Sequence, residues 1–293
     1  MAGYLKIGTD CSGIEAPIQA LRQLKIPHRH LFSSDIDPYV IKSIKANYDP
    51  DVIYGDITER DITEVPDIDL YVAGFPCQPF SMAGDREGFK DKRGNVFWSC
   101  LDVITTKQPK YFILENVKAL LWHDKGKTWK TIWTSLQLEG YIVRWKVLNT
   151  KDYGIPQSRE RLFIVGKKDG DFDWPFPTEM DNIRDYVDHT DTTRRKWGRK
   201  TSLDLIRPDA AFVDIDFLHY THYPMAHKIS PCVLARPSSL WCVPYHRYAT
   251  CKEMFSLQGF REFKQVVSNS QMKKQIGNSM SVNVLAAILN ELL

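Results

Sequence analysis

A cysteine held between two prolines, directly after an apolar run, is the part of this sequence best suited to chemistry. Residues 68–73 are predicted to form a buried strand, which places Cys77 just beyond the carboxyl end of that strand. In an open α/β sheet this edge is where ligands bind. Pro76 and Pro79 fix φ on both sides and remove two backbone donors, so the loop is stiff and aims the thiol. Cys77 is therefore a candidate nucleophile, although the loop alone leaves open a buried structural cysteine.

A carboxylate follows another apolar run of the same predicted sheet. Residues 111–114 read as a buried strand, and Glu115 comes directly after it. Because the carboxyl ends of parallel strands meet at one edge of a sheet, Glu115 is expected to be the second half of a catalytic constellation with Cys77.

Short apolar runs alternate with amphipathic segments through most of the chain, which predicts an α/β fold with a doubly wound sheet. The predicted strands are residues 4–9, 30–33, 52–54, 68–73, 111–114, 143–148 and 162–166. The first predicted helix ends at residue 24. The others cover residues 38–47, 96–106, 128–138, 249–259 and 280–293.

Polar residues follow the first three predicted strands. The first turn holds one glycine, Gly13, which is not the dinucleotide fingerprint and leaves room for a cofactor without phosphates. Asp35 ends the second strand and is placed to accept hydrogen bonds from ribose hydroxyls, whereas Asp37 suits a helix N-cap better. Asp56 follows the third strand, where it either meets an exocyclic amine or begins a turn.

Composition and charge bound the possible functions. The 293 residues are 43% hydrophobic and 26% charged, as in an ordinary globular protein with one large domain or a large and a small one. The net charge of +3 means that a polyanion would be met by local patches. The sequence contains neither an apolar run of membrane-span length nor a signal-peptide layout, so a cytoplasmic location is expected rather than secretion.

Cysteine and histidine usage argues against a metal. The six cysteines are scattered without a Cys-x-x-Cys pair, which disfavours both a zinc site and a disulfide framework. His219, His222 and His227 invite a metal interpretation, but no Cys-x-x-Cys pair accompanies them in the sequence. No metal is predicted.

Taken together and in this order, these stretches resemble the cytosine-C5 DNA methyltransferase family. The stretches are residues 10–16, Asp35, residues 55–56, 76–78, 115–117, 157–161 and 277–279. The resemblance implies a doubly wound, Rossmann-like methyltransferase sheet with a smaller target-recognition domain. It assigns the catalytic domain to residues 1–168 plus 262–293 and the target-recognition domain to residues 169–261.

The resemblance also implies a reaction at a cytosine flipped out of double-stranded DNA. Cys77 adds to C6, after which C5 attacks a sulfonium methyl group, and Glu115 hydrogen-bonds and protonates N3. Arg159 and Arg161 fix Glu115 and the base's O2, and their positive field lowers the pKa of the cysteine. A monomer is the default expectation, and the family implies a role in restriction-modification.

The implied cofactor is S-adenosylmethionine, with Asp35 on the ribose, Ile36 on the adenine and Asp56 on its amino group. The implied cofactor-binding residues are Asp10, Cys11, Ser12, Gly13, Ile14, Asp35, Ile36, Asp56, Ile57, Pro76, Asn278 and Ser279. The implied supports of the substrate and of the Cys77 loop are Phe75, Gln78, Ser81, Asn116 and Val117, with Asn278 as a further buttress of the loop.

The first motif departs from the family's pattern. Cys11 replaces an aromatic residue, and Glu15 and Ala16 stand where glycines are common. Ile36 stands where a large apolar or aromatic residue often stacks on adenine, and Cys251 where proline is common. These departures bear on cofactor affinity more than on the chemistry.

Three rival functions fit the sequence less well. An RNA cytosine-C5 methyltransferase would share the chemistry, but the Cys-Phe-Thr tripeptide of the tRNA-methylating branch is absent from this sequence. A non-catalytic DNA-binding homologue would have no chemical need for Cys77, Glu115, Arg159 and Arg161 together. A nicotinamide-dependent oxidoreductase lacks its glycine fingerprint here.

Overall fold

The computed structural model describes residues 4–76, 96–194, 209–216, 228–236 and 239–293. The chain divides into two compact units. The first comprises Met1–Leu148, Glu160–Pro175 and Leu285–Leu293, and the second comprises Asn149–Arg159 and Phe176–Val284. These limits follow packing within each unit, so the assignment of DNA recognition to residues 169–261 stays a prediction.

A seven-stranded sheet forms the frame of the first unit. Its strands are β1 (Leu5–Asp10), β2 (His28–Ser34), β3 (Val52–Tyr54), β4 (Leu70–Ala73), β5 (Tyr111–Val117), β6 (Ile142–Asn149) and β7 (Glu160–Lys167). They lie in the order β3-β2-β1-β4-β5-β7-β6. The pairs from β3 to β5 are parallel, and β7 runs antiparallel to β5. The predicted doubly wound α/β fold is confirmed.

The strand order reverses between β1 and β4. From β1 the chain moves outward through β2 to β3, and it then returns to place β4 on the other side of β1. In open α/β sheets the carboxyl ends of the strands beside such a reversal form the ligand-binding crevice. The turn after β1 and the loop after β4, which leads to Cys77, both begin at this point.

Four helices of the first unit connect these strands and lie close to their predicted positions. They are α1 (Ala16–Gln23), α2 (Pro38–Asn47), α3 (Val96–Lys107) and α4 (Lys127–Gln137). The start of α2 shows why: Pro38 supplies the preset φ of a first helical turn, and the Asp37 carboxylate accepts a hydrogen bond from the Tyr39 amide. The prediction that Asp37 is the N-cap is confirmed.

The main core of the first unit packs against β4 and β5. Tyr71, Phe112 and Leu114 are fully buried there together with Phe97 of α3. Phe75, which follows β4, belongs to the same cluster, and its ring lies 5.7 Å from that of Phe97. The chain approaching Cys77 is therefore anchored by apolar burial.

In the part that the structure describes, the second unit contains a small sheet and three α-helical segments. Its sheet has the order β10-β9-β8, with β8 (Phe212–Asp214), β9 (Leu240–Cys242) and β10 (Arg247–Tyr248) antiparallel. Its helices are α5 (Cys251–Leu257), α6 (Asn269–Asn278) and the first residues of α7 (Val282–Leu292), which continues into the first unit. Only one helix, over residues 280–293, was predicted after residue 260, because the polar face of α6 weakens its apolar periodicity.

A buried ion pair stabilises the start of α5. Arg247 and Glu253 are almost fully buried, and two bonds of 2.7 and 2.8 Å join the guanidinium to the carboxylate. Glu253 also completes a capping box with Thr250.

None of the helices in the described part of the chain has both the length and the hydrophobicity that a membrane span requires.

We predict that Gly166→Ala will destabilise the first unit. Gly166 of β7 lies opposite Phe112 of β5, and an added Cβ would overlap that fully buried ring. Overpacking of this kind costs about 1–3 kcal/mol. Urea unfolding checks the value, with Gly55→Ala as the control because a Cβ there meets no atom within 4 Å. Equal midpoints for both variants would contradict this packing.

Candidate active site

The predicted site residues that the structure describes in the first unit lie along one edge of the seven-stranded sheet. The carboxyl ends of the parallel strands β1 to β5 form this edge, and the amino end of antiparallel β7 also reaches it. Residues 11–14 follow β1, Asp35 and Ile36 follow β2, and Asp56 comes two residues after β3. Phe75 and Pro76 follow β4, while Glu115, Asn116 and Val117 form the end of β5.

Glu115 pairs with Arg161 across two neighbouring strands. Val117 lies opposite Arg161 and Glu115 lies opposite Phe163, so Glu115 and Arg161 are diagonal neighbours on one face of the sheet. The Arg161 Nε lies 3.2 Å from the Glu115 Oε1, and both side chains are mostly buried. A guanidinium at this distance stabilises the charge of a carboxylate and limits its rotation.

Asn116 connects β5 to the segment that leads into Cys77. Its side-chain amide donates to the Phe75 carbonyl over 3.3 Å, and its Oδ1 accepts from the Val117 amide. Asn116 is 1% exposed, so these bonds are shielded from water. Cys77, Gln78 and Ser81 lie outside the described residues.

The turn after β1 is held by bonds to the end of β2. The Ser12 amide donates to the Ser34 carbonyl, and the Ser34 amide donates to the Ser12 hydroxyl, both over 2.9 Å. The Gly13 amide donates to the Asp35 carboxylate over 3.1 Å. Ser12, Gly13 and Asp35 therefore form one local structure.

Asp35 is a partly buried acceptor at this edge. Burial raises the pKa of its carboxyl group, while hydrogen bonds from the Asp37 and Gly13 amides lower it. Each carboxylate oxygen can accept more than one hydrogen bond, so Asp35 keeps acceptor capacity for a ligand hydroxyl. Ile36 beside it is 73% exposed, an unusual exposure for an isoleucine.

Residues 55–57 form a turn after β3. Asp56 is exposed, and its Oδ1 accepts from the backbone amide and the hydroxyl of Thr58. Ile57 is buried in the main core of the first unit. Asp56 thus begins a turn, and its carboxylate is open to solvent at the same time.

Asp10 has a different environment. It is fully buried, and both of its oxygens accept from the Arg60 guanidinium over 2.8 Å, while the Tyr71 hydroxyl donates to Oδ2 over 2.7 Å. Burial raises the pKa of the Tyr71 hydroxyl and of the thiol of Cys11, the residue that follows Asp10. Both groups therefore stay protonated at neutral pH. Sequence reasoning missed Arg60, because nothing in the sequence relates it to Asp10.

These positions fit a nucleoside-type cofactor. Asp35 offers an acceptor for ribose hydroxyls, and Ile36 exposes an apolar surface of the kind on which an adenine packs. Gly13 has a φ of 53° and no atom within 4 Å of an ideal Cβ, so a ligand can approach its backbone closely. Ile14, also predicted to bind the cofactor, is fully buried beneath the turn.

The remaining predicted residues belong to the second unit. Arg159 is 3% exposed, and its guanidinium donates to the carbonyls of Val233, Gly277 and Ser279 over 2.7–3.2 Å. Ser279 is buried, and Asn278 is the exposed last residue of α6. Arg159 therefore organises backbone within its own unit.

The described residues add no candidate metal centre to those considered from the sequence. Within the described residues no group of three His, Cys, Asp or Glu side chains is placed to hold a metal ion. His219, His222 and His227 lie outside those residues.

The sequence matches the model of one protein family, described as C-5 cytosine-specific DNA methylase, over residues 11–293. The chain belongs to this family. It is thus an enzyme, a DNA (cytosine-5-)-methyltransferase, and the resemblance identified from its motifs is confirmed.

Relatives of this methyltransferase support the assignment. The Type II methyltransferase M.NlaX of Neisseria lactamica is 36% identical over 286 residues, which cover 90% of this chain and 88% of the relative. The Type II methyltransferase M.HaeII of Haemophilus aegyptius is 35% identical, and the match covers 90% of this chain and 86% of the relative.

Solved structures show the same fold. The Dnmt2 methyltransferase of S. pombe has a TM-score of 0.73 at 20% identity, with 99% of this chain and 98% of that chain covered. A putative DNA modification methyltransferase encoded within an E. coli prophage has a TM-score of 0.70 at 18% identity, with 98% and 99% covered. At such identities the likeness concerns the fold alone.

We predict that Asp35 makes the stability of this methyltransferase pH-dependent. Its folded-state pKa is raised above the ordinary 3.8, so the folded protein binds this proton more tightly than the unfolded chain. The contribution of Asp35 to the free energy of unfolding therefore falls as pH rises through 3.8 toward the folded-state pKa.

Urea unfolding of wild type and Asp35→Asn from about pH 4 to about pH 7 checks this sign. The stability of wild type relative to the variant should decline across that range. A difference that is constant or grows with pH would contradict the burial of this charge.

Proposed function

We propose that this enzyme methylates C5 of a cytosine flipped out of duplex DNA, with Cys77 as the nucleophile and S-adenosylmethionine as the methyl donor. One observation carries the proposal. The Glu115–Arg161 pair lies at the end of β5, and the next residue, Asn116, bonds the backbone two residues before Cys77. These contacts support the proposal that a carboxylic acid group and a thiol act at one sheet edge.

Each residue has a separate task in the proposed reaction. The Cys77 sulfur forms a bond to C6 while Glu115 donates a proton to N3, which makes C5 an enamine carbon. Bound S-adenosylmethionine would supply the methyl group: the C5–methyl bond forms as the methyl–sulfonium bond breaks, and the electron pair of that bond stays on the sulfur. A base then removes the C5 proton, the electrons of the C5–H bond re-form C5=C6 as the thiolate leaves, and Glu115 takes back the N3 proton.

Arg161 is proposed to orient the Glu115 carboxyl group toward N3. The distance of 3.2 Å between Nε and Oε1 restricts this carboxyl group, and its burial strengthens the electrostatic contact. The positive charge also favours a thiolate at Cys77. Roles for Arg159, Asn278 and Ser279 in the reaction stay predictions.

S-adenosylmethionine is proposed to lie along the turn after β1 and the ends of β2 and β3. The Asp35 carboxylate would accept from the ribose hydroxyls, Ile36 would cover the adenine, and the exposed Asp56 would accept from its amino group. The turn brings one glycine and no second phosphate-binding glycine to this edge, which suits a cofactor without phosphates.

The substrate is proposed to be a short, specific site in double-stranded DNA. The relatives named Type II methyltransferases support a modification role beside a restriction nuclease. The cytosine must leave the duplex before the thiol can reach C6, which costs a few kcal/mol of unpairing and unstacking. Recognition by residues 169–261 stays part of this proposal.

Bisulfite sequencing of plasmid DNA from cells expressing the chain tests the function. Protected cytosines in one short sequence context, absent with Cys77→Ser, are the expected result. Full conversion with both soluble proteins would refute DNA methylation under these conditions. Methylation of RNA with unmethylated plasmid would favour the RNA-directed alternative.

We predict that Glu115→Gln lowers kcat by about 10²–10⁴-fold, since the amide cannot donate an acidic proton to N3. Methyl transfer from tritiated S-adenosylmethionine to plasmid DNA measures kcat. The control is Glu160→Gln, which changes an exposed neighbouring carboxylate paired with Lys118 and should keep kcat within about twofold. A Glu115→Gln enzyme with wild-type kcat would remove Glu115 from the mechanism.

A further inference from the structure

Glu15 combines two features that usually destabilise a protein. It is fully buried, and it adopts a left-handed backbone conformation with φ 58° and ψ 50°. Non-glycine residues rarely adopt this conformation, because Cβ then crowds the following carbonyl. Cys11 and Gly13 also have positive φ values, of 49° and 53°, so the turn alternates left-handed residues with only one glycine among them.

The side chain of Glu15 shows what holds this conformation. Its Oε1 accepts from the Thr9 hydroxyl over 2.7 Å and from the Ser33 hydroxyl over 2.6 Å. The His30 Nε2 lies 3.4 Å from the same oxygen and 3.0 Å from the Ser33 hydroxyl. Glu15, which directly precedes α1, is thus hydrogen-bonded to residues of both β1 and β2.

These contacts continue into the candidate cofactor site. The Thr9 hydroxyl lies 2.7 Å from that of Ser12, which in turn accepts from the Ser34 amide. Gly13 and Asp35, joined by their own hydrogen bond, come directly after Ser12 and Ser34. Only two hydroxyl groups separate the buried carboxyl group from the turn that would receive the cofactor.

Part of this arrangement remains unsatisfied. Within the described chain, the Glu15 Oε2 and the His30 Nδ1 are buried without a hydrogen-bond partner. A buried polar atom without a partner lowers stability, and so does the left-handed backbone of Glu15. Departures from local stability rules of this kind concentrate at functional sites.

We propose that Glu15 is a positioning residue for S-adenosylmethionine. Its carboxyl group replaces the backbone freedom of glycine with a fixed set of hydrogen bonds, and these hold Ser12 and Gly13 against Asp35 in the binding conformation. The proposal rests on the proposed cofactor. In this interpretation, the hydrogen bonds of Glu15 give the turn the conformation that a glycine at residue 15 would otherwise permit.

Isothermal titration of S-adenosylmethionine into purified variants tests the proposal. For Glu15→Gly, which relieves the backbone strain but removes the carboxyl group, the Kd should rise at least about tenfold. Glu15→Ala should show a similar loss, and Glu15→Gln, which keeps one acceptor oxygen, should bind with intermediate affinity. Under saturating S-adenosylmethionine, kcat of Glu15→Gly should stay within about threefold of wild type, because the carboxyl group acts on positioning.

Ile132→Val is the matched control for lost stability. Ile132 is a fully buried residue of α4, so this variant weakens the core of the same unit without altering the turn. Its Kd should equal that of wild type. Circular dichroism verifies that each variant is folded at the titration temperature.

The outcomes separate the two proposals. Wild-type affinity in Glu15→Gly would show that the turn needs only a residue tolerant of left-handed φ, and it would overturn the role of the carboxyl group. A comparable loss in Ile132→Val would make the effect one of general stability and would overturn it as well. Failure of the folded wild type to bind S-adenosylmethionine would instead refute the proposed cofactor.

Discussion

The antiparallel pairing of β5 with β7 is the constraint on which the candidate catalytic geometry depends. It brings the amino end of β7 to the edge where the parallel strands have their carboxyl ends, and so places Arg161 diagonally across from Glu115. A shift of this pairing by one residue would turn Arg161 to the other face of the sheet. Close approach of Phe112 to Gly166 in the same strand pair helps to specify the register.

The edge that is proposed to bind the cofactor is built differently, from buried polar groups. Asp10 is neutralised by Arg60, whereas Glu15 is held by hydroxyl groups and keeps one buried oxygen without a partner in the described chain. Buried charges usually add more specificity than stability, since desolvation offsets much of their attraction. In the first motif of this methyltransferase, Glu15 thus stands in place of a flexible glycine and forms a fixed network of polar contacts.

The second unit shows that a motif residue can serve structure as well as chemistry. Arg159 was assigned with Arg161 to Glu115 and the base, yet its guanidinium binds the carbonyls of Val233, Gly277 and Ser279. Gly277 packs so closely on the backbone of residues 234–235 that a Cβ would overlap it. Arg159 and residues 277–279, which lie in motifs shared with the family, therefore form one hydrogen-bonded framework within this unit.

The sequence by itself determined the α/β fold, the family and the strand ends that carry Asp35, Asp56 and Glu115. Apolar periodicity and the residues that follow each strand are local signals, so they can be recognised without a structure. Tertiary structure alone decided that Asp10 pairs with Arg60, that Arg161 meets Glu115, and that Glu15 is buried in a left-handed turn. These outcomes depend on strand order and on contacts between distant segments, and local periodicity contains no information about either.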